Sequence, residues 1–112
     1  MLPKNQRLTS NRIEYLLKKG KKNGNSFLTV KYLQNRQKKS RFCAVVSLKV
    51  TPKAVQRNRL RRQLFEIFRL HPDLPSVPTD IVVIAKLPLT KLNFQELTKT
   101  LVQTLQNITS SS

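Results

Sequence analysis

Apolar and polar positions alternate cleanly between Arg41 and Val50. Phe42, Ala44, Val46, Leu48 and Val50 fall on one side, and Cys43, Val45, Ser47 and Lys49 on the other. That period of two predicts a strand, ended by Thr51-Pro52 because proline cannot continue a central ladder. A second strand is predicted over Ser26–Leu33, where Phe27, Val30 and Tyr32 supply β-type residues. The charged turn Gln34–Ser40 between the two runs predicts an antiparallel pair. Asp80-Ile81-Val82-Val83-Ile84-Ala85-Lys86 is instead continuously apolar, the pattern of an interior strand covered on both faces.

Three stretches carry helical periodicity. The first begins at Ser10 or Asn11, with Glu14 three residues after Asn11 as in a capping box. Ile13, Leu16 and Leu17 form its stripe, Lys18 and Lys19 oppose its dipole, and Gly20 suits a left-handed terminator. Lys21–Asn25 reads as a polar loop. The second helix runs from Lys53 or Ala54 to Leu70, with Leu60, Leu64, Ile67 and Phe68 inward and Asn58, Arg62 and Arg69 opposite. Pro72, Pro75 and Pro78 close it. The third starts near Asn93, with Phe94, Leu97, Leu101, Leu105 and Ile108 as its buried stripe.

The elements predict an α+β fold: a single-domain sandwich of a small mixed sheet with about three helices. The order is α-β-β-(β)-α-β-α, the bracketed strand being short and unplaced. At 112 residues, 38% of them hydrophobic, the chain supports one core, with frayed ends expected over 1–6 and 109–112.

Charge narrows the function. Twenty-two Lys and Arg stand against five Asp and Glu, a formal net charge of +17. No acidic residue lies between Glu14 and Glu66, where fifteen Lys or Arg fall. Such self-repulsion is relieved by a polyanion, whose condensed counterions are released on binding. An anionic membrane is disfavoured as that polyanion, since no run approaches the roughly 20 apolar residues of a spanning helix. The N-terminal Met1-Leu2-Pro3-Lys4-Asn5-Gln6-Arg7 lacks a signal-peptide core, and one cysteine cannot form an internal disulfide. A cytoplasmic protein is expected.

A protein-borne active site is hard to assemble from these residues. One His and one Cys cannot make the usual zinc sets, and the five carboxylates are too dispersed to pair on a metal. No protein-held metal or cofactor is expected. Cys43 reads as a small core thiol and His71 as a helix-end group. Lys53-Ala54-Val55-Gln56-Arg57-Asn58-Arg59-Leu60-Arg61-Arg62 is different, with four Arg in six residues at a helix start. A guanidinium holds two phosphate oxygens at once, and Asn58 offers a neutral amide to base edges or a 2′-hydroxyl. An RNA-binding helix follows, with a DNA-binding regulator disfavoured because strands, not a helix-turn-helix partner, precede it. A lone nuclease lacks ligands; a basic ribosomal or tRNA-binding protein remains an alternative.

The sequence resembles the protein subunit of bacterial ribonuclease P over nearly its whole length. Arg57-Asn58-Arg59 followed by Arg61-Arg62 is similar to the R-N-R segment that opens that family's central helix. Collinear with it are Arg7-Leu8, Leu16-Leu17-Lys18-Lys19-Gly20-Lys21, Arg41-Phe42 leading to Val46-Ser47-Leu48-Lys49-Val50, Asp80–Lys86 with Pro88, and Phe94–Leu105. The resemblance implies a ribosomal protein S5 domain 2-like fold with a left-handed βαβ crossover. It also implies a ribonucleoprotein in which a separate RNA with bound Mg2+ cleaves the 5′ leader from precursor tRNA, one protein per RNA, with no membrane or DNA partner. Mapped residue by residue, Arg57, Asn58, Arg59, Arg61 and Arg62 bind the catalytic RNA, and Lys49 and Lys53 add phosphate contacts. A leader-binding cleft maps to Ile13, Leu17, Phe27, Val30 and Tyr32. The chain departs from the family in having aliphatic Ile13 and Leu17 where phenylalanine is common. Leu48 and Leu87 stand where a basic residue is usual, and Thr51-Pro52-Lys53 is one residue longer than the usual connection.

Overall fold

A computed structural model of the chain describes residues 7–36, 39–75 and 77–110. The ends expected to fray lie largely outside that range. The elements in chain order are α1 (Ser10–Lys19), β1 (Lys21–Gly24), β2 (Leu28–Gln34), β3 (Arg41–Val45), α2 (Ala54–Leu70), β4 (Thr79–Ala85) and α3 (Phe94–Ser110). A short 3-10 turn, Leu87–Lys91, links β4 to α3. The α+β reading holds, and the unplaced strand is β1.

The four strands form one mixed sheet in the order β1-β2-β4-β3. β4 pairs antiparallel with β2 and parallel with β3. The expected β2–β3 hairpin therefore does not form, because β4 inserts between them. The cause is burial: β4 is apolar on both faces, so it takes a place covered on both sides. β3 and β4 are joined through α2, as a parallel pair requires. On the outer edge of β3, Arg7 makes a single parallel bridge to Phe42.

Strand alternation assigns the faces. Leu28, Val30 and Tyr32 of β2, Phe42 and Ala44 of β3, and Ile81, Val83 and Ala85 of β4 belong to the main core. Leu60, Leu64, Ile67 and Phe68 of α2 and Leu97, Leu101, Leu105 and Ile108 of α3 close over them. Phe42 stacks on Phe68 at 4.6 Å between ring centres and meets Phe65 edge-on at 5.2 Å.

α1 covers the opposite face. Its Leu16 is fully buried, and on the sheet the equally buried Val82 shares Asp80's side. Asp80 is what fixes α1 there. Its side chain is wholly buried and accepts from Arg12 Nε of α1 at 2.7 Å and from Asn35 Nδ2 at 2.8 Å. Arg41 closes on it through two nitrogens, Nε at 2.8 Å and Nη2 at 2.7 Å. Burial pushes this carboxyl up, but the bonds from Arg41, Arg12 and Asn35 together hold it below the usual carboxylate range.

Several element ends differ from expectation. Thr9, not Ser10 or Asn11, caps α1, its hydroxyl accepting from Arg12 N at 3.2 Å. Gly20 is extended (φ −67°, ψ 152°) rather than left-handed. A Cβ there would meet the carbonyl oxygen of Leu16 at 2.5 Å, so glycine is required by close approach instead. β3 stops at Val45. Val46 and Val50 remain buried, but Ser47–Val50 is a turn and Leu48 is 68% exposed. At α3 the reciprocal bonds Glu96 N to Asn93 Oδ1 (2.8 Å) and Asn93 N to Glu96 Oε1 (3.1 Å) build a capping box. Phe94, expected in the buried stripe, is 43% exposed.

Candidate nucleic-acid interface

α2 places the arginine cluster on the side away from the core. Leu60, Leu64, Ile67 and Phe68 fix the helix's rotation, which leaves Asn58, Arg59 and Arg62 exposed and Arg61 half-buried. Lys49 and Lys53 are exposed beside its start. Arg57 also has a structural part that the sequence does not show. It is half-buried, and its Nη1 donates to the Thr51 carbonyl at 3.1 Å, tying the preceding loop to the helix. Thr51 also donates from Oγ1 to Gln56 Oε1 at 2.6 Å. Arg61 Nη2 donates to Asn58 Oδ1, so the Asn58 amide presents its NH2 outward more freely than its oxygen.

Electrostatics separates this cluster from the other arginines. Glu66 is bonded to Arg69, which lowers the carboxyl of Glu66 and raises the guanidinium of Arg69. Arg12 and Arg41 are committed to Asp80. Among the described residues no carboxylate pairs with Arg57, Arg59, Arg61 or Arg62. The helix has no acidic residue in its first turn and no side-chain bond at its N-cap, Lys53. The result is an uncompensated positive field along one helix face, able to take phosphates.

The proposed cleft residues are not all brought together. Ile13 is half-buried and Leu17 exposed, both on the flank of α1 beside Leu16. Val30 and Tyr32 are a correction: they are 0% and 7% exposed, in register with Val83 and Ile81 of the main core. Phe27 precedes β2 and packs against that same core. The sheet surface on the α1 side carries their alternates instead. Lys22 and Lys31 face each other across β1 and β2, and Cys43, Val45 and Ile84 extend the surface, half-exposed, over β3 and β4. Alternation is the signal that could have found them, but β2 has apolar residues at both parities. Burial pushes the Cys43 thiol up, partly offset by the charge of Arg61.

Among the described residues there is no group of three or more His, Cys, Asp or Glu able to hold a metal ion. No helix among them is long and apolar enough to cross a membrane.

Fold and surface together define a small α+β protein built to present an unpaired arginine field beside a half-open sheet face. A profile of the ribonuclease P family matches residues 2–109. The ribonuclease P protein component of Syntrophomonas wolfei is 33% identical over 100 residues, covering 88% of this chain and 83% of that protein. That of Clostridioides difficile is 38% identical over 85 residues, 75% and 74% of the two chains. The RNase P protein from Thermotoga maritima has a TM-score of 0.82 at 31% identity, covering 90% of this chain and 96% of that one. A Staphylococcus aureus RNase P protein mutant gives 0.85 at 26% identity, covering 94% and 89%. The chain belongs to the ribonuclease P protein component family.

Proposed function

We propose that this protein is the accessory subunit of a bacterial ribonuclease P ribonucleoprotein, assisting removal of the 5′ leader from precursor tRNA. The arginine field of α2 supports this reading most directly. Asn58, Arg59, Arg61 and Arg62, with Lys49 and Lys53, dock the catalytic RNA through phosphate oxygens, while Arg57 holds the loop that aims them. We assign catalysis to the RNA with its Mg2+, as the resemblance to the family implies; the carboxylates of the described residues are dispersed. One protein per RNA is the proposed stoichiometry.

The 5′ leader is proposed to lie on the sheet surface of Lys22, Lys31, Cys43, Val45 and Ile84, flanked by Ile13 and Leu17 of α1. Aliphatic residues there cannot stack on bases, so leader binding rests on lysine–phosphate contacts and apolar cover. Leu17→Ala is expected to weaken precursor binding to the reconstituted complex by about 1 kcal/mol, roughly fivefold, and to leave mature tRNA unchanged. Equal losses for both tRNAs would remove α1 from the leader site.

Binding is tested by titrating the purified protein with a bacterial ribonuclease P RNA and with free tRNA at several salt concentrations. Tighter, strongly salt-dependent binding to the ribonuclease P RNA is expected. Preference for tRNA alone would favour a tRNA-binding protein with no part in cleavage.

A further inference from the structure

Phe94 is an aromatic side chain that the fold leaves unused. Helical period places it at the head of α3's buried stripe, yet it is 43% exposed, while the nearby Leu89 is fully buried in the core beneath. The Asn93–Glu96 capping box fixes its backbone as the first residue of the helix. Its ring forms a wall of two shallow depressions at the α2–α3 junction. One is shared with Arg59, Arg62, Gln63 and Glu66; the other runs from Arg59 and Gln63 toward Leu92.

Other aromatic rings nearer the surface are already engaged. Phe65 is packed edge-on against Phe42, and Tyr15 is covered by Arg12 at 5.3 Å from its ring centre. Among the described residues neither a ring nor a guanidinium covers Phe94. Among the described residues its neighbours Arg59 and Arg62 have no carboxylate partner, and Glu66 is held by Arg69. An open ring face sharing a depression with two guanidinium groups is complementary to a base and its neighbouring phosphates. Gln63, half-buried in the same depression, carries an amide that can meet a base edge.

We infer that Phe94 is a stacking platform for one unpaired nucleotide of the bound RNA, flanked by phosphates held on Arg59 and Arg62. This rests on the RNA-docking reading of α2 and extends the interface across to α3. It separates two kinds of contact: arginine–phosphate contacts, which depend on salt, and a stacked base, which does not.

The chain has no tryptophan, so Phe94→Trp introduces a single reporter. With bacterial ribonuclease P RNA its emission is expected to be quenched at saturation, and heparin, a polyanion without bases, leaves it bright. Phe94→Tyr binds the RNA like the parent protein. Phe94→Leu loses roughly 5- to 150-fold, the range that base–aromatic stacking covers in single-strand binders, with its salt slope unchanged. Parental affinity in Phe94→Leu together with unquenched indole emission in Phe94→Trp would overturn the inference. If Arg59→Ala and Arg62→Ala still weaken binding in that case, the docking role of α2 stands. If they bind like the parent, it falls too. An emission change with protein concentration alone would assign this face to a second protein copy, and so overturn the inference as well.

Discussion

Losing Arg59 and Arg62 together is expected to weaken binding to bacterial ribonuclease P RNA about 25- to 60-fold at 0.1 M salt. Each phosphate contact contributes about 0.7–0.9 to the slope of log affinity against log salt, so two contacts are worth about 1.4–1.8 log units at that concentration. The double variant Arg59→Ala/Arg62→Ala is therefore expected to show a slope shallower by that same amount. Arg69→Ala provides the internal control. It removes a positive charge from the same helix, but one already bonded to Glu66, so its slope is expected to match the parent's. Equal flattening in both variants would mean that net charge alone matters. A parental slope in the double variant would make Arg59 and Arg62 an ordinary solvated face.

Asp80 carries the largest expected effect on stability. Asp80→Ala is expected to cost roughly 2–4 kcal/mol, somewhat under the value for a fully buried pair because Arg12 and Arg41 can regain water. A lowered urea midpoint measures this. The same group gives an acid signature. Its carboxyl is held below the ordinary range in the fold, so its contribution is complete above the unfolded value of about 3.9. That contribution drains away as pH falls through the folded value. Subtracting Asp80→Asn from the parent should therefore leave a difference that is constant near neutrality and shrinks below about pH 4. A difference that grows on acidification would mean that the bonds to Arg12 and Arg41 do not stabilise the charged form. Because Asp80 is what holds α1 on the sheet, its loss should also impair any ligand site beside Ile13 and Leu17.

Some of this architecture was legible in the residues alone. Helical period found α1, α2 and α3, and the unbroken apolar run of β4 announced a strand covered on both faces. The arginine face of α2 could be read because charge and helical period point the same way there. Other features were hidden for physical reasons. β1 is Lys21-Lys22-Asn23-Gly24, which owes its extended form to pairing with β2 and carries no apolar signature of its own. Alternation between Arg41 and Val50 continues past the real end of β3, so Leu48 looks internal although it sits exposed on a turn. Sequence neighbours suggested a β2–β3 hairpin; the demand of β4 for an interior place overrode it. At the candidate site, β2 offers apolar residues at both parities, and only register with β4 reveals that Val30 and Tyr32 face the core. Asp80 was visible as the first residue of a strand, but its three partners come from Arg12, Asn35 and Arg41, which only the fold brings together.

On the proposed reading the chain serves a catalytic RNA rather than cutting RNA itself. The most direct measurement adds purified protein to a bacterial ribonuclease P RNA and precursor tRNA at low Mg2+, following release of the 5′ leader. Little cleavage is expected from either component alone, and a marked gain when both are present. No gain on adding the protein, or leader release by the protein without the RNA, would refute the proposal.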